Sequence, residues 1–258
     1  MKFDIAILGS GNVAWHLSAA LENAGHQITE VYSRNMHHAR KITARLYATE
    51  ATDELDFSES KARLFIIAVA DQAIAEVADA VILPENSILV HTSGSMGLEI
   101  LEYSSASYTG IFYPLQTFSK SRELDFADVS ILLESEDQET LKILKKLASS
   151  LTSPYYAVKS KDRKAVHVAA VFASNFTNHL IGIAEEIMNR QGLDMEMLKP
   201  LIIEQISKCL QIGAKASQTG PAIREDFPTL EAHHQFLNYN ENLAEIYRLI
   251  SQDILDAN

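Results

Sequence analysis

A short hydrophobic run within Lys2 to Leu8 feeds directly into Gly9-Ser10-Gly11-Asn12-Val13-Ala14, and a helical pattern then leads to a second run ending Val31-Tyr32-Ser33-Arg34. The order predicts strand, glycine turn, helix and strand, the context in which such a turn signals dinucleotide binding. Gly9 lets the chain reverse tightly off the strand, and Gly11 lacks the Cβ that would block a pyrophosphate from the backbone. Ala14 stands where a third glycine is common and is still small enough for the helix to lie close to the strand. Val13, Leu17, Ala20, Leu21 and Ala24 recur at three- and four-residue spacing, giving the helix one face for a sheet, and Gly25 is placed to end it. Gly9, Ser10, Gly11, Asn12, Val13 and Ala14 are therefore candidate cofactor-binding residues at a positive helix end.

The tip of the second strand narrows the ligand. Enzymes that use NAD usually place Asp or Glu there to bond the adenosine ribose. Here the tip offers Ser33, Arg34 and Asn35, and the nearby acid, Glu30, lies back within the strand. A carboxylate would repel a ribose phosphate, whereas the planar fork of Arg34 can bond it. The expectation is NADP(H), with Ser33 and Arg34 as its adenosine-side ligands; the alternative is an arginine merely solvated in a loop.

A chain of 258 residues suits one large domain or two modest ones. Its net charge of −12 argues against nucleic acid or an anionic membrane as partner. Cys209 is the single cysteine, which excludes an intramolecular disulfide and a cysteine metal cluster, and its setting reads as a helix core position. The chain shows no long apolar stretch, and its first strand begins almost at once, so a cytoplasmic protein without a signal peptide is expected.

Strand and helix patterns keep alternating. Helices are expected over Met36 to Leu46 and Asp71 to Val81, and strands over Tyr47 to Ala51, within Lys61 to Ala70, and over Ser87 to His91, Tyr108 to Tyr113 and Val129 to Leu133. This predicts an α/β fold, a Rossmann doubly wound, mainly parallel sheet. Ligands of such sheets bind beyond the carboxyl ends of the strands, which puts Ala70, Thr92 and Ser93 toward the nicotinamide half of a cofactor. After Pro154 to Val158 the strand patterns stop. Helices are expected over Lys161 to Arg190, Met195 to Gly213 and Leu230 to Leu255, giving an NADP-binding domain over residues 1–153 and an all-helical substrate or dimerisation domain over 154–258. Extended helices in so small a domain suggest a homodimer.

The helical part carries polar candidates. At ~100° per residue, Ser174 and Asn178 share a helix face with His167, and Asn175 lies at its edge. His167 and Asn175 are the catalytic candidates, able to hold a substrate's polar group or donate a proton; Ser174 and Asn178 are substrate-binding candidates. The alternative is a set of structural residues bonding nearby backbone. Arg224 and Asp226, in the loop Thr219 to Asp226, are further substrate-binding candidates: Arg224 either binds an anionic substrate group or pairs with Asp226 as simple structure. The spacing of His233 and His234 does not support a metal site, and none is expected.

The whole chain resembles the Rossmann-fold oxidoreductases that carry a C-terminal domain of unknown function, within the 6-phosphogluconate-dehydrogenase-like and pyrroline-carboxylate-reductase-like superfamily. The resemblance rests on Gly9 to Ala14, Tyr32-Ser-Arg34, Ala68-Val-Ala-Asp71, His91-Thr-Ser-Gly94, Phe112 to Phe118, His167 with Ser174-Asn175, and Thr219-Gly-Pro221 with Arg224, Asp226 and His233. It implies hydride transfer at a cleft between two domains and, commonly, a helix-swapped or helix-packed dimer. Hydroxyisobutyrate-type dehydrogenases place a Lys four residues before an Asn in the first helix of the second domain. Asn175 matches that Asn, but Val171 stands at the Lys position, so oxidation of β-hydroxy acids is not implied.

Three readings follow: an NADP(H)-dependent oxidoreductase acting on a small carbonyl, imine or hydroxy acid; a catalytically silent NADP(H)-binding redox sensor or partner-assisting protein; and a scaffold whose fingerprint is vestigial.

Overall fold

The computed structural model describes residues 2–152 and 154–257. Two compact units divide the chain at Ser174 and Asn175. The division expected at 153/154 involves Ser153, which lies outside the described residues. Beyond it, Tyr155–Ala157 still forms a sheet strand, so the first unit continues past that point.

The first unit is built on an eight-stranded sheet: β1 Asp4–Leu8, β2 Gln27–Tyr32, β3 Glu50–Thr52, β4 Leu64–Ile67, β5 Ile88–His91, β6 Tyr108–Leu115, β7 Ser130–Glu134 and β8 Tyr155–Ala157. Their order is β3-β2-β1-β4-β5-β6-β7-β8, parallel throughout except where β7 runs against β6. The order reverses between β1 and β4, the crevice where doubly wound sheets take their ligands. Helices α1 Asn12–Asn23, α2 Met36–Thr43, α3 Ile74–Ala80, α4 Gln138–Leu151 and α5 Ser160–Ala170 complete the unit. The helix expected over Asp71 to Val81 opens as a 3-10 turn over Asp71–Ala73 and becomes α-helical only at Ile74.

Alternation along β1 shows why the sheet is covered on both faces. Ile5 and Ile7 join one core with Leu17 and Leu21 of α1 and Leu144 and Leu147 of α4. Ala6 and Leu8 join the other with Phe65, Ile74 and Val77. Burying both faces requires the near-continuous apolar strands that the sequence shows. Gly9 then turns the chain at φ 141°; a Cβ there would stand 2.2 Å from the Ala68 carbonyl oxygen, so both conformation and space demand glycine.

The helix expected over Lys161 to Arg190 is continuous but not uniform. Between α5 and α6 Thr177–Arg190, residues Val171–Phe176 wind as a π-helix. The ~100° step that aligns His167, Ser174 and Asn178 does not hold through that segment, which winds more loosely than an α-helix. In the second unit follow α7 Lys199–Ile212, α8 Ala214–Ser217, α9 Phe227–Phe236 and α10 Glu241–Asp256. The single helix expected over Leu230 to Leu255 is thus two. Asn240 ends the continuity, its side-chain oxygen accepting from the Asn242 and Leu243 amides as the cap of α10.

Candidate functional site

At the sheet's reversal lies a cavity of about 540 Å3 lined by Gly9 to Val13, Tyr32 to Asn35, Ala68 to Ala70, and Glu76 and Val77 of α3. Gly11 caps α1 without any side-chain hydrogen bond, and no acid occupies the first turn. The first amides of the helix have no intrahelical acceptor, so they are donors available to an anion. A Cβ on Gly11 would have only the Ala68 oxygen nearby, at 3.8 Å, and would project into open space that a pyrophosphate could use.

The Ser33 hydroxyl lies 2.9 Å from that of Ser10, tying the tip of β2 to the glycine turn. Asn35 caps α2 by accepting from the His37 amide at 3.0 Å. Arg34 is exposed and makes no ion pair among the described residues, leaving its guanidinium for a ligand. Glu30 is turned away and accepts from the Ser60 hydroxyl at 2.8 Å. The residues fit a phosphorylated adenosine, and Glu76 is the acid that lines the same cavity.

Not every predicted residue contributes its side chain. Asn12 donates its amide to the Phe118 carbonyl at 2.9 Å, and Ala14 is fully buried in packing, so these two serve through backbone and size. The loop after β6 is fastened over the turn by further bonds, from His16 to the Ser119 carbonyl and from Lys120 to the Ser10 carbonyl, each 2.9 Å. Its residues are near in space but more than a hundred positions away in sequence, and no local pattern points to them.

A second cluster surrounds the loop after β5. The Thr92 hydroxyl donates to the Ile67 carbonyl at 3.2 Å, and Ser93 accepts from the Ser95 and Met96 amides, both at 3.1 Å. Both side chains shape the loop. Ser95 donates to the Asp71 carboxylate, joining the loops that follow β4 and β5, and Ala70 is exposed beside that junction. His91 is fully buried; its Nδ1 accepts from the Ser93 amide at 3.1 Å, which assigns the proton to Nε2 for donation to the Gly97 carbonyl at 3.2 Å. Burial pushes its pKa down to about 4, so it is a neutral brace.

Arg163 of α5 is also fully buried. It pairs with Glu134 at the end of β7 and donates to the Met96 carbonyl. Glu134 in turn accepts from the Ser160 amide and hydroxyl, each at 2.8 Å, at the start of α5. One turn along, the half-buried His167 places Nδ1 3.0 Å from the Tyr113 hydroxyl. The rings meet edge-on, 5.9 Å apart at 67°. Gly94 makes room for both: a Cβ there would stand 2.6 Å from His167 Nδ1 and 2.7 Å from Tyr113 Cζ. Tyr113, Gly94, Arg163 and Glu134 were not singled out individually from the sequence as site residues. The only signal was the place of Tyr113 and Gly94 in two of the resemblance motifs.

Ser174 is half-buried at the end of the first unit. In the second unit Asn175 and Asn178 are exposed, and so is Arg224. The Asp226 carboxylate accepts from the Thr229 amide and hydroxyl at the start of α9, and these bonds hold its pKa below the usual carboxylate range. Asp226 and Arg224 form no ion pair among the described residues. His233 Nδ1 lies 2.9 Å from the Tyr247 hydroxyl.

Comparison with known proteins agrees with this architecture. Residues 1–111 match a Rossmann-like domain, and residues 129–254 match the domain of unknown function DUF2520. The chain is 35% identical to the putative NADP oxidoreductase BF3122 from Bacteroides fragilis, over 99% of this chain and 98% of that one, with a TM-score of 0.91. Protein TM1727 from Thermotoga maritima shares the fold at 24% identity and TM-score 0.71, covering 98% of each chain. A reductive aminase from Aspergillus terreus, in complex with NADPH and ethyl-5-oxohexanoate, shares it at 13% identity and TM-score 0.76, over 100% of this chain and 94% of that one. No curated protein matches the sequence. The chain belongs to the family, represented by the Bacteroides fragilis protein, that joins an N-terminal Rossmann-like domain to a C-terminal DUF2520 domain.

Proposed function

We propose that the protein is an NADP(H)-dependent oxidoreductase acting on a small carbonyl, imine or hydroxy-acid substrate. The observation that carries the reading is the groove itself: uncapped amides at the start of α1 lining the same cavity as Arg34, which makes no ion pair among the described residues. The family membership and the NADPH named with the Aspergillus terreus enzyme support it. Gly9 to Val13 would hold the pyrophosphate and Ser33 with Arg34 the adenosine phosphate; Ala70, Thr92 and Ser93 shape the strand ends where the nicotinamide half belongs. When bound, the dinucleotide supplies or accepts a hydride.

In the first unit His167 is the proposed proton-handling group and Ser174 a proposed substrate contact; in the second unit Asn175 is the proposed catalytic residue and Asn178 and Arg224 are the proposed substrate contacts. The Asp226 carboxylate is occupied by its helix cap, so of that loop's pair Arg224 is the one free to meet an anionic substrate. A homodimer fits the exposure of Leu201, Ile203 and Leu210, which are 65%, 69% and 82% exposed along α7. Light scattering reads that directly; a monomeric mass would remove the dimer from the account.

Val171, in place of the lysine of hydroxyisobutyrate-type dehydrogenases, favours a second reading as a silent NADP(H)-binding sensor. A panel of oxo acids, ketones and cyclic imines separates the two. NADPH consumption that His167→Ala abolishes supports the enzyme, and binding without turnover on the panel supports the sensor.

A further inference from the structure

The geometry points to Tyr113 as the positioning residue and proton source for His167, a tyrosine–histidine relay that delivers a proton from His167 Nε2 to the substrate heteroatom. This inference rests on the reductase reading above and assigns its acid.

The half-buried Tyr113 hydroxyl lies 3.0 Å from His167 Nδ1, and the relay takes the phenol as donor and Nδ1 as acceptor. With Nδ1 accepting, a neutral His167 carries its proton on Nε2, the nitrogen on the far side of the ring from Tyr113. Burial, reinforced by the Asp71 carboxylate and opposed by Arg163, raises the Tyr113 pKa above its ordinary value, so the phenol keeps its proton at neutral pH.

The surroundings hold this pair in one geometry. Gly94 removes the Cβ that would occupy its space. Arg163, one helical turn before His167, anchors α5 through Glu134 and the Met96 carbonyl, and His91 braces the same loop at Gly97. Gly94 thus leaves the space that the histidine ring and the Tyr113 phenol share, and Arg163 fixes the helix that carries the ring.

The step balances. As hydride adds to the carbon of a C=O or C=N group, the π electron pair moves onto the heteroatom, which takes the proton from His167 Nε2. The Tyr113 proton crosses to Nδ1 as the Nε2–H bond breaks. The imidazole remains neutral, and the phenolate left on Tyr113 is reprotonated by solvent. In the oxidative direction every transfer runs backwards.

The test is nitrogen-15 NMR of the histidine ring in the full-length protein, with Tyr113→Phe and Gly94→Ala alongside the wild type. The relay predicts for the wild type an unprotonated, hydrogen-bond-accepting Nδ1 and a protonated Nε2. Both variants are expected to shift the Nδ1 resonance toward that of a free imine nitrogen. With any active substrate from the carbonyl and imine panel, Tyr113→Phe is expected to lower kcat about 100-fold with NADPH affinity unchanged. A wild-type Nδ1 that carries the proton, or a ring spectrum indifferent to Tyr113→Phe, overturns the relay. A wild type that binds no NADPH in a fluorescence titration overturns the reductase reading instead.

Discussion

Gly94 and His167 are matched in space: a single methyl group on Gly94 would lie 2.6 Å from Nδ1 of the histidine, well inside contact distance. The same methyl group would lie 2.7 Å from Cζ of Tyr113, the hydrogen-bond partner of the histidine, so it would crowd both rings at once. Gly94→Ala is therefore expected to cost about 1–3 kcal/mol of stability, the usual range for overpacking a filled site. Urea denaturation measures it, and a variant as stable as the wild type would show that the loop yields freely.

Arg163 and Glu134 predict a larger effect. Their side chains are 1% and 14% exposed, and removing the guanidinium leaves the Glu134 charge with only the Ser160 amide and hydroxyl to meet it and takes a donor from the Met96 carbonyl. Arg163→Met should cost about 3–5 kcal/mol, because an abandoned buried charge is penalised far more than an intact pair is rewarded. Changing Glu134→Gln in the same chain should restore part of that loss. Equal stability of the single and double variants would show that the charge of Glu134 is not the source of the cost.

His91 sets a pH dependence whose sign follows from its burial. Its folded pKa is pushed down to about 4 from an ordinary 6.5, so the unfolded chain takes up the proton first as pH falls. The stabilisation is complete above pH 6.5 and is lost as pH drops toward 4. Between pH 7 and 5 this group should remove about 2 kcal/mol. His91→Gln, though weaker at pH 7, should lose correspondingly less over the same interval. Parallel stability profiles for the two proteins would contradict a buried neutral His91.

Much of the first unit was legible because its signals are local. The apolar strands, the Gly9 turn and the empty acid position after Tyr32 each lie within a few residues, and the structure places them around one cavity. What escaped was long-range. Tyr113 meets His167 across 54 positions and Arg163 meets Met96 across 67, so neither pairing leaves a periodic trace. The π segment at Val171–Phe176 escaped for another reason: sequence phase arithmetic assumes a constant turn, and a looser winding changes which residues share a face. Asn240 did carry a signal, as a helix-capping residue inside an apolar pattern, but the periodicity on either side masked it.

The account stands or falls on what fills the groove beside Arg34, and calorimetric titration of wild type and Arg34→Ala with NADPH and NADH reads it most directly. Wild type should bind NADPH at least about 10-fold more tightly than NADH, the equivalent of about 1.4 kcal/mol from a charged bond to the ribose phosphate. Arg34→Ala should bring the two affinities close together. Tighter binding of NADH, or no heat from either coenzyme, would contradict the account.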